Sequence, residues 1–197
     1  MERQTYEVGP WFFLVYSGLQ SAIEINVREL NNFADRPLSL VAWASRNLLE
    51  LMVWTKFSAA SPLNAHAFLV ETVKDFLELR TFAGKHPTEE EDPGIREALE
   101  SQFKQVDELV SRIVFDSKPD KFKRVSDVAE ELGFNPHFAR EYKILSKYAH
   151  PTAMSLFLND HDADKDLRAG FTRNALSYAA NSLAMIQQVL QHTALKC

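Results

Sequence analysis

The chain has 197 residues, 46% of them apolar, and a formal net charge of -5. That length supports one full hydrophobic core, or one core with a small appendage. The acidic balance excludes a general nucleic-acid coat, which needs clustered Lys and Arg, but leaves room for a local basic patch.

Glycine is scarce, long periodic apolar segments dominate, and few runs alternate with period two. The expected class is therefore all-α: a multi-helix bundle around a fully buried central helix, with a short helix-turn-helix-like insertion before the last long helix, in one domain over residues 1–197. The lone cysteine, Cys197, leaves no internal disulfide, which suits a reducing cytoplasm. The opening MERQTYEVGP is polar, and the apolar run WFFLV is too short for a signal peptide. No apolar run approaches the roughly 20 residues of a membrane span without a charge, so no membrane association is expected.

The first helix is predicted over about Trp11 to Phe33, with Leu19, Ile23, Val27 and Leu30 inward; Arg36-Pro37 ends it, because proline pushes the preceding residue out of the α region. The second, Ser39 to Phe57, is apolar around almost its whole circumference. Its expected core residues are Trp43, Leu48, Leu51, Met52 and Trp54. Ser61-Pro62 supplies an N-cap and a proline at the first helical position of the third helix, which reaches about Phe82. Its residues Glu71, Asp75 and Glu78 read as a solvated acidic face; a carboxylate metal cluster would need an E-x-x-H partner that is lacking.

A loop, AGKHPTEEEDP, precedes a fourth helix from about Ile95 to Phe115, with Ile95, Leu99, Phe103, Val106, Val110 and Ile113 inward. The lysine-bearing stretch Asp116 to Arg124 is the one credible internal boundary. Ser126 to Leu132 is a short helix closed by Gly133, and Asn135-Pro136 opens another that ends at His150-Pro151. Met154 to Leu158 adds a further turn, Asn159 to Asp166 reads as an acidic loop, and the last helix runs from about Leu167 to His192. Its stripe is Phe171, Ala175, Tyr178, Ser182, Ile186 and Val189.

The second helix carries the strongest functional signal. Arg46 and Glu50 lie in the stripe of Trp43, Trp54 and Phe57, since all five share one helical face. A guanidinium and a carboxylate inside an apolar stripe cost several kcal/mol unless paired. A buried polar site is expected, with Arg46 and Glu50 bonded to each other or to groups near Ser146, Tyr148 and His150. His150 either caps its helix or serves chemistry; a helix C-terminus favours a protonated imidazole.

The helix with R-x-x-x-E (Arg46, Glu50), followed by Y-x-x-L-S-x-Y-x-H-P (Tyr142, Leu145, Ser146, Tyr148, His150, Pro151), resembles a family of bacterial all-helical proteins of unknown function, related to the HEPN group of helical bundles. The resemblance implies a helical fold and self-association as a homodimer. It also implies a link to toxin–antitoxin or phage-defence systems, where many HEPN proteins are metal-independent ribonucleases with an R-x(4–6)-H signature. Arg140 and His150 are too far apart for that signature, with nine residues between them. Arg80 and His86 match by count, but Gly84 and Pro87 interrupt the helix.

Other motifs lead elsewhere. Arg124 to Lys143 has the outline of a helix-turn-helix, with Lys121, Lys123, Arg124, Arg140, Lys143 and Lys147 as a local basic cluster. Its apolar residues Val128, Leu132, Phe134 and Tyr142 are expected to pack into the bundle, so no sequence-specific DNA binding is expected. Asp160, Asp162, Asp164 and Asp166 alternate like the opening of a calcium loop, but Lys165 and Phe171 stand where Gly and Glu are needed. The histidines lack zinc spacing and no glycine-rich phosphate loop occurs, so neither metal nor cofactor is expected.

The reading is an interaction or regulatory component of a bacterial defence or stress system. Its site residues are Arg46, Glu50, Tyr142, Ser146, Tyr148 and His150. Two alternatives stand beside it. One is a ribonuclease acting on RNA through His150, Arg46 and Glu50, or through Arg80 and His86, with histidine moving the proton and arginine steadying the phosphate. The other is a helix-turn-helix DNA-binding regulator.

Overall fold

Proline and serine set the breaks between the first three helices. In the computed structural model, which describes residues 9–33, 35–85, 93–112, 123–150 and 161–194, α1 spans Pro10–Asn32, α2 Leu38–Ala60 and α3 Pro62–Lys85. Pro10 and Pro62 each open a helix, where a missing N–H costs nothing. Ser61 is extended between α2 and α3, and its Oγ accepts the Asn64 N–H at 3.1 Å.

Further along are α4 (Pro93–Arg112), α5 (Val125–Glu131), α6 (Asn135–Ala149) and α7 (His161–Ala194). No strand occurs among the described residues. The protein is all-α. The turn at Met154 to Leu158 and the loop acids Glu89 to Asp92 lie outside the described residues.

One expectation fails at the start of α7. Residues 161–166 are helical, not loop. Acidic side chains are favoured near a helix N-terminus by the macrodipole, so alternating aspartates there do not break a helix.

Contacts divide the chain into two compact units, residues 1–65 with 123–197 and residues 66–122. In the first, α2 is central and packs on α7, α6, α1 and α5. Val41, Ala42, Ala44, Leu48, Leu49 and Val53 of α2 have no exposure. Leu19, Ile23 and Leu30 of α1 and Phe171, Ala175, Tyr178 and Ile186 of α7, the helices packed on it, are buried as well. The stripes read from the sequence thus pack as expected, except that Val27 and Val189 are half-buried.

Polar groups tie these helices at defined points. The Tyr16 hydroxyl donates to Ser58 O at 2.9 Å, and Asn47 Nδ2 donates to Asn26 Oδ1 at 3.0 Å. Burial pushes the Tyr16 phenol up to about 12, because the anion would lose its hydration. Tyr178 is pushed up to about 12 as well, by burial and then by the nearby Glu141 carboxylate.

In the second unit, Arg80 of α3 binds both carboxylate oxygens of Asp107 of α4, at 2.6 and 2.8 Å. Leu99 and Phe103 of α4 are half-buried. The acidic face of α3 departs from the solvated reading: Glu71 is buried, with Lys74 at 3.4 Å. Burial, then Glu78 and Glu71, raise the Asp75 carboxyl above its ordinary range.

Candidate functional site

Helix α2 is apolar all round, so periodicity alone does not say which side faces water. Packing leaves open the side that carries Trp43, Arg46, Glu50 and Trp54. Trp43 is 42% exposed, and its ring meets Phe33 edge-on at 6.4 Å. Leu51 and Trp54 are half-buried, while Leu48, Met52 and Phe57 are buried. The central helix is therefore not fully buried, and Trp43, Leu51 and Trp54 are not core residues. Four helices cannot close the whole circumference of a fifth, and the bulky amphipathic tryptophans tolerate the rim.

Arg46 and Glu50 sit on this open side, with 22% and 27% of their side chains exposed. One helical turn separates them, and Arg46 Nε donates to Glu50 Oε1 at 2.9 Å. The pair forms as expected but is half-buried, not interior.

Helix α6 completes the arrangement. Phe138 and Leu145 are its buried anchors. Phe138 stacks on Tyr142 at 5.1 Å and 24°, and the Tyr142 ring lies 5.0 Å from the Arg46 guanidinium carbon. A cation over an aromatic face gains about 0.5–2 kcal/mol, more as water is excluded.

The end of α6 delivers the third contact. The His150 N–H closes the helix on Ser146 O at 3.2 Å, and its backbone then turns extended, φ −102° and ψ 148°, as a residue before proline must. Its ring reaches back to α2, with Nε2 3.0 Å from Arg46 Nη1. A guanidinium only donates, so this is a hydrogen bond when Nε2 accepts and the ring proton sits on Nδ1.

The structure thus brings together Arg46, Glu50, Tyr142 and His150. It does not bring in Ser146 or Tyr148. The Ser146 Oγ is buried without a hydrogen-bond partner among the described residues, and the Tyr148 ring packs edge-on against Phe171 of α7 at 5.6 Å. Of the other pair, Arg80 is engaged by Asp107, and His86 lies outside the described residues. Phe138 was missed, although its i, i+4 spacing to Tyr142 is a legible aromatic pair.

The helix-turn-helix outline is real as backbone. Gly133 has φ +74°, which suits glycine. Phe134 N–H bonds Ala129 O at 2.8 Å and Gly133 N–H bonds Glu130 O at 2.9 Å, a Schellman stop. Val128 is buried, but Leu132, Phe134 and Tyr142 are only half-buried. Phe134 and Tyr142 lie at the rim, each facing a cation from α2: Lys56 Nζ is 3.9 Å from the Phe134 ring.

Among the described residues, no group of three or more His, Cys, Asp or Glu is placed to hold a metal, and no helix is long and apolar enough to cross a membrane.

Fold and site define an all-helical bundle whose central helix presents a fixed arginine at a half-open edge. The chain belongs to a family of unknown function, DUF5677, whose profile matches residues 12–166. That span includes Arg46, Glu50, Tyr142 and His150. No curated protein and no solved structure matches the chain.

Proposed function

We propose that this chain is a HEPN-like interaction or regulatory module of a bacterial defence or stress system, working in the cytoplasm, with the open side of α2 as its docking surface. The observation that carries this reading is the state of Arg46. Its guanidinium is held by Glu50, by His150 and by the face of Tyr142. An arginine so restrained loses little freedom when a partner docks, and arginine beside tryptophan and tyrosine is the usual make-up of binding hot spots. The link to defence systems rests on the sequence resemblance alone.

A second reading, acid–base cleavage of RNA, draws on one feature: His150 is exposed and within hydrogen-bond reach of an arginine. Against it, Glu50 already balances the Arg46 charge, and when Nε2 accepts from Arg46 its lone pair is taken from a general base.

A second copy of the chain is the partner to test first. Sedimentation of the wild type should show reversible self-association, weakened roughly tenfold by Trp43→Ala. Neither should cleave RNA in the presence of EDTA. A wild type that stays monomeric at every attainable concentration would remove the homodimer. Metal-free cleavage lost in His150→Ala, with an unchanged thermal melt, would establish the ribonuclease reading instead.

A further inference from the structure

The outward face of α6 is a basic row on an acidic chain. Arg140, Lys143 and Lys147 are exposed, as is His150 at the helix end. At 100° per residue these four fall within an arc of about 80°, opposite the buried Phe138 and Leu145, and they span about 15 Å of helix. Neither Arg140 nor Lys143 forms an ion pair among the described residues. The one acid on α6, Glu141, sits off this face and accepts from Asn174 of α7 at 3.5 Å.

We propose that this row docks an acidic helix of a partner protein. Three features favour that occupant. The cations Arg140, Lys143 and Lys147 recur at steps of three and four residues, with His150 three residues further on, so an acidic helix of the same period, laid alongside, can meet each in turn. A helical stripe of three or four carboxylates also matches the charge of the row, whereas a nucleic acid brings one phosphate about every 1.7 Å of duplex to a chain of net charge -5. Finally, the outward face carries no Phe, Tyr or Trp on which bases could stack. The proposal does not depend on the docking role given to the open side of α2, because it is tested at Arg140 and Lys143, which are not among the partners that hold Arg46.

The test uses the full chain and two labelled alanine-based helical peptides of one composition. One carries four glutamates at steps of three, four and three; in the other they are spread around the helix. The striped peptide should bind roughly fivefold or more tightly than its isomer, and less so as salt is added. Arg140→Glu with Lys143→Glu should weaken it by about tenfold, and Arg140→Gln with Lys143→Gln by less; both positions are exposed, and thermal melts check that each variant folds. Equal binding of the two peptides, no binding of the striped one, or unchanged binding by the charge-reversed variant would each overturn the proposal. So would a single-stranded RNA of equal charge that binds more tightly than the striped peptide and is lost in the same variant, since the row would then serve a nucleic acid.

Discussion

The two sides of α2 solve opposite problems with the same helix. One side, built from Val41, Leu48, Leu49 and Val53, is fully buried and contains no charge. The other, built from Trp43, Arg46, Glu50 and Trp54, stays half-open and carries an ion pair. Stability resides mainly in the first side, because apolar burial scales with area removed from water. The proposed recognition uses the second, where polar groups are fixed in place yet reachable.

The sharpest test of this division is Leu48→Ala. The residue is fully buried, so its loss should cost about 2–5 kcal/mol through lost burial and the cavity left behind. Denaturant melts measure this, and a cost below that of any substitution on the open side would reverse the assignment of roles.

Next in size is an alkaline effect at the buried Tyr16 of α1. The Tyr16 phenol is held at about 12, above its ordinary value of 10.0. The folded chain therefore keeps this proton more tightly than the unfolded chain. Its contribution is complete below pH 10 and is lost as pH rises from 10 to 12, by about 2 kcal/mol. Tyr178 adds a loss of the same sign over the same range. Tyr16→Phe should remove its own share and roughly halve the combined loss; melts at pH 9 and above would show an unchanged slope if the phenol plays no part.

On the open side, Arg46→Ala should cost about 1–2 kcal/mol. Breaking a buried pair costs about 3–5 kcal/mol and an exposed one about 0–1; Arg46 and Glu50, 22% and 27% exposed, lie between. Glu50→Ala and His150→Ala should each cost less, since Tyr142 still holds the guanidinium. A cost above 3 kcal/mol for Arg46→Ala would mean that water is excluded from this edge more than its exposure shows.

The smallest effect belongs to Arg80→Ala. Its pair with Asp107 has two short bonds, but both side chains are 50% exposed. Under about 1 kcal/mol is expected. If it exceeds the cost of Arg46→Ala, bond geometry matters more here than shielding from solvent.

Much of the fold was legible because its signals are local. Ser61-Pro62 and Gly133 act through their own backbone, so the breaks they mark lie where the sequence puts them. The buried stripe from Phe171 to Ile186 follows from one period of 3.6. The site was legible in part. Arg46 and Glu50 are one helical turn apart, and helix geometry alone allows their bond. His150 was singled out by the proline that stops its helix. Ser146 and Tyr148 are not brought to Arg46, because nearness to His150 in sequence does not fix the direction in which a helical side chain points.

What the sequence by itself determined, then, is the set of helices, the breaks at Pro37, Ser61 and Gly133, and the groups that meet within one turn. The tertiary structure alone decided which side of α2 meets water. An all-apolar helix has no preferred face, and the choice falls to the helices that pack against it. The same packing set the tie between Arg46 and His150, 104 residues apart. It also set the half-burial of Glu50 and the contact of Tyr142 with the guanidinium. Chain spacing carries no information about partners that distant; only the docking of α6 on α2, anchored by Phe138 and Leu145, brings them within reach.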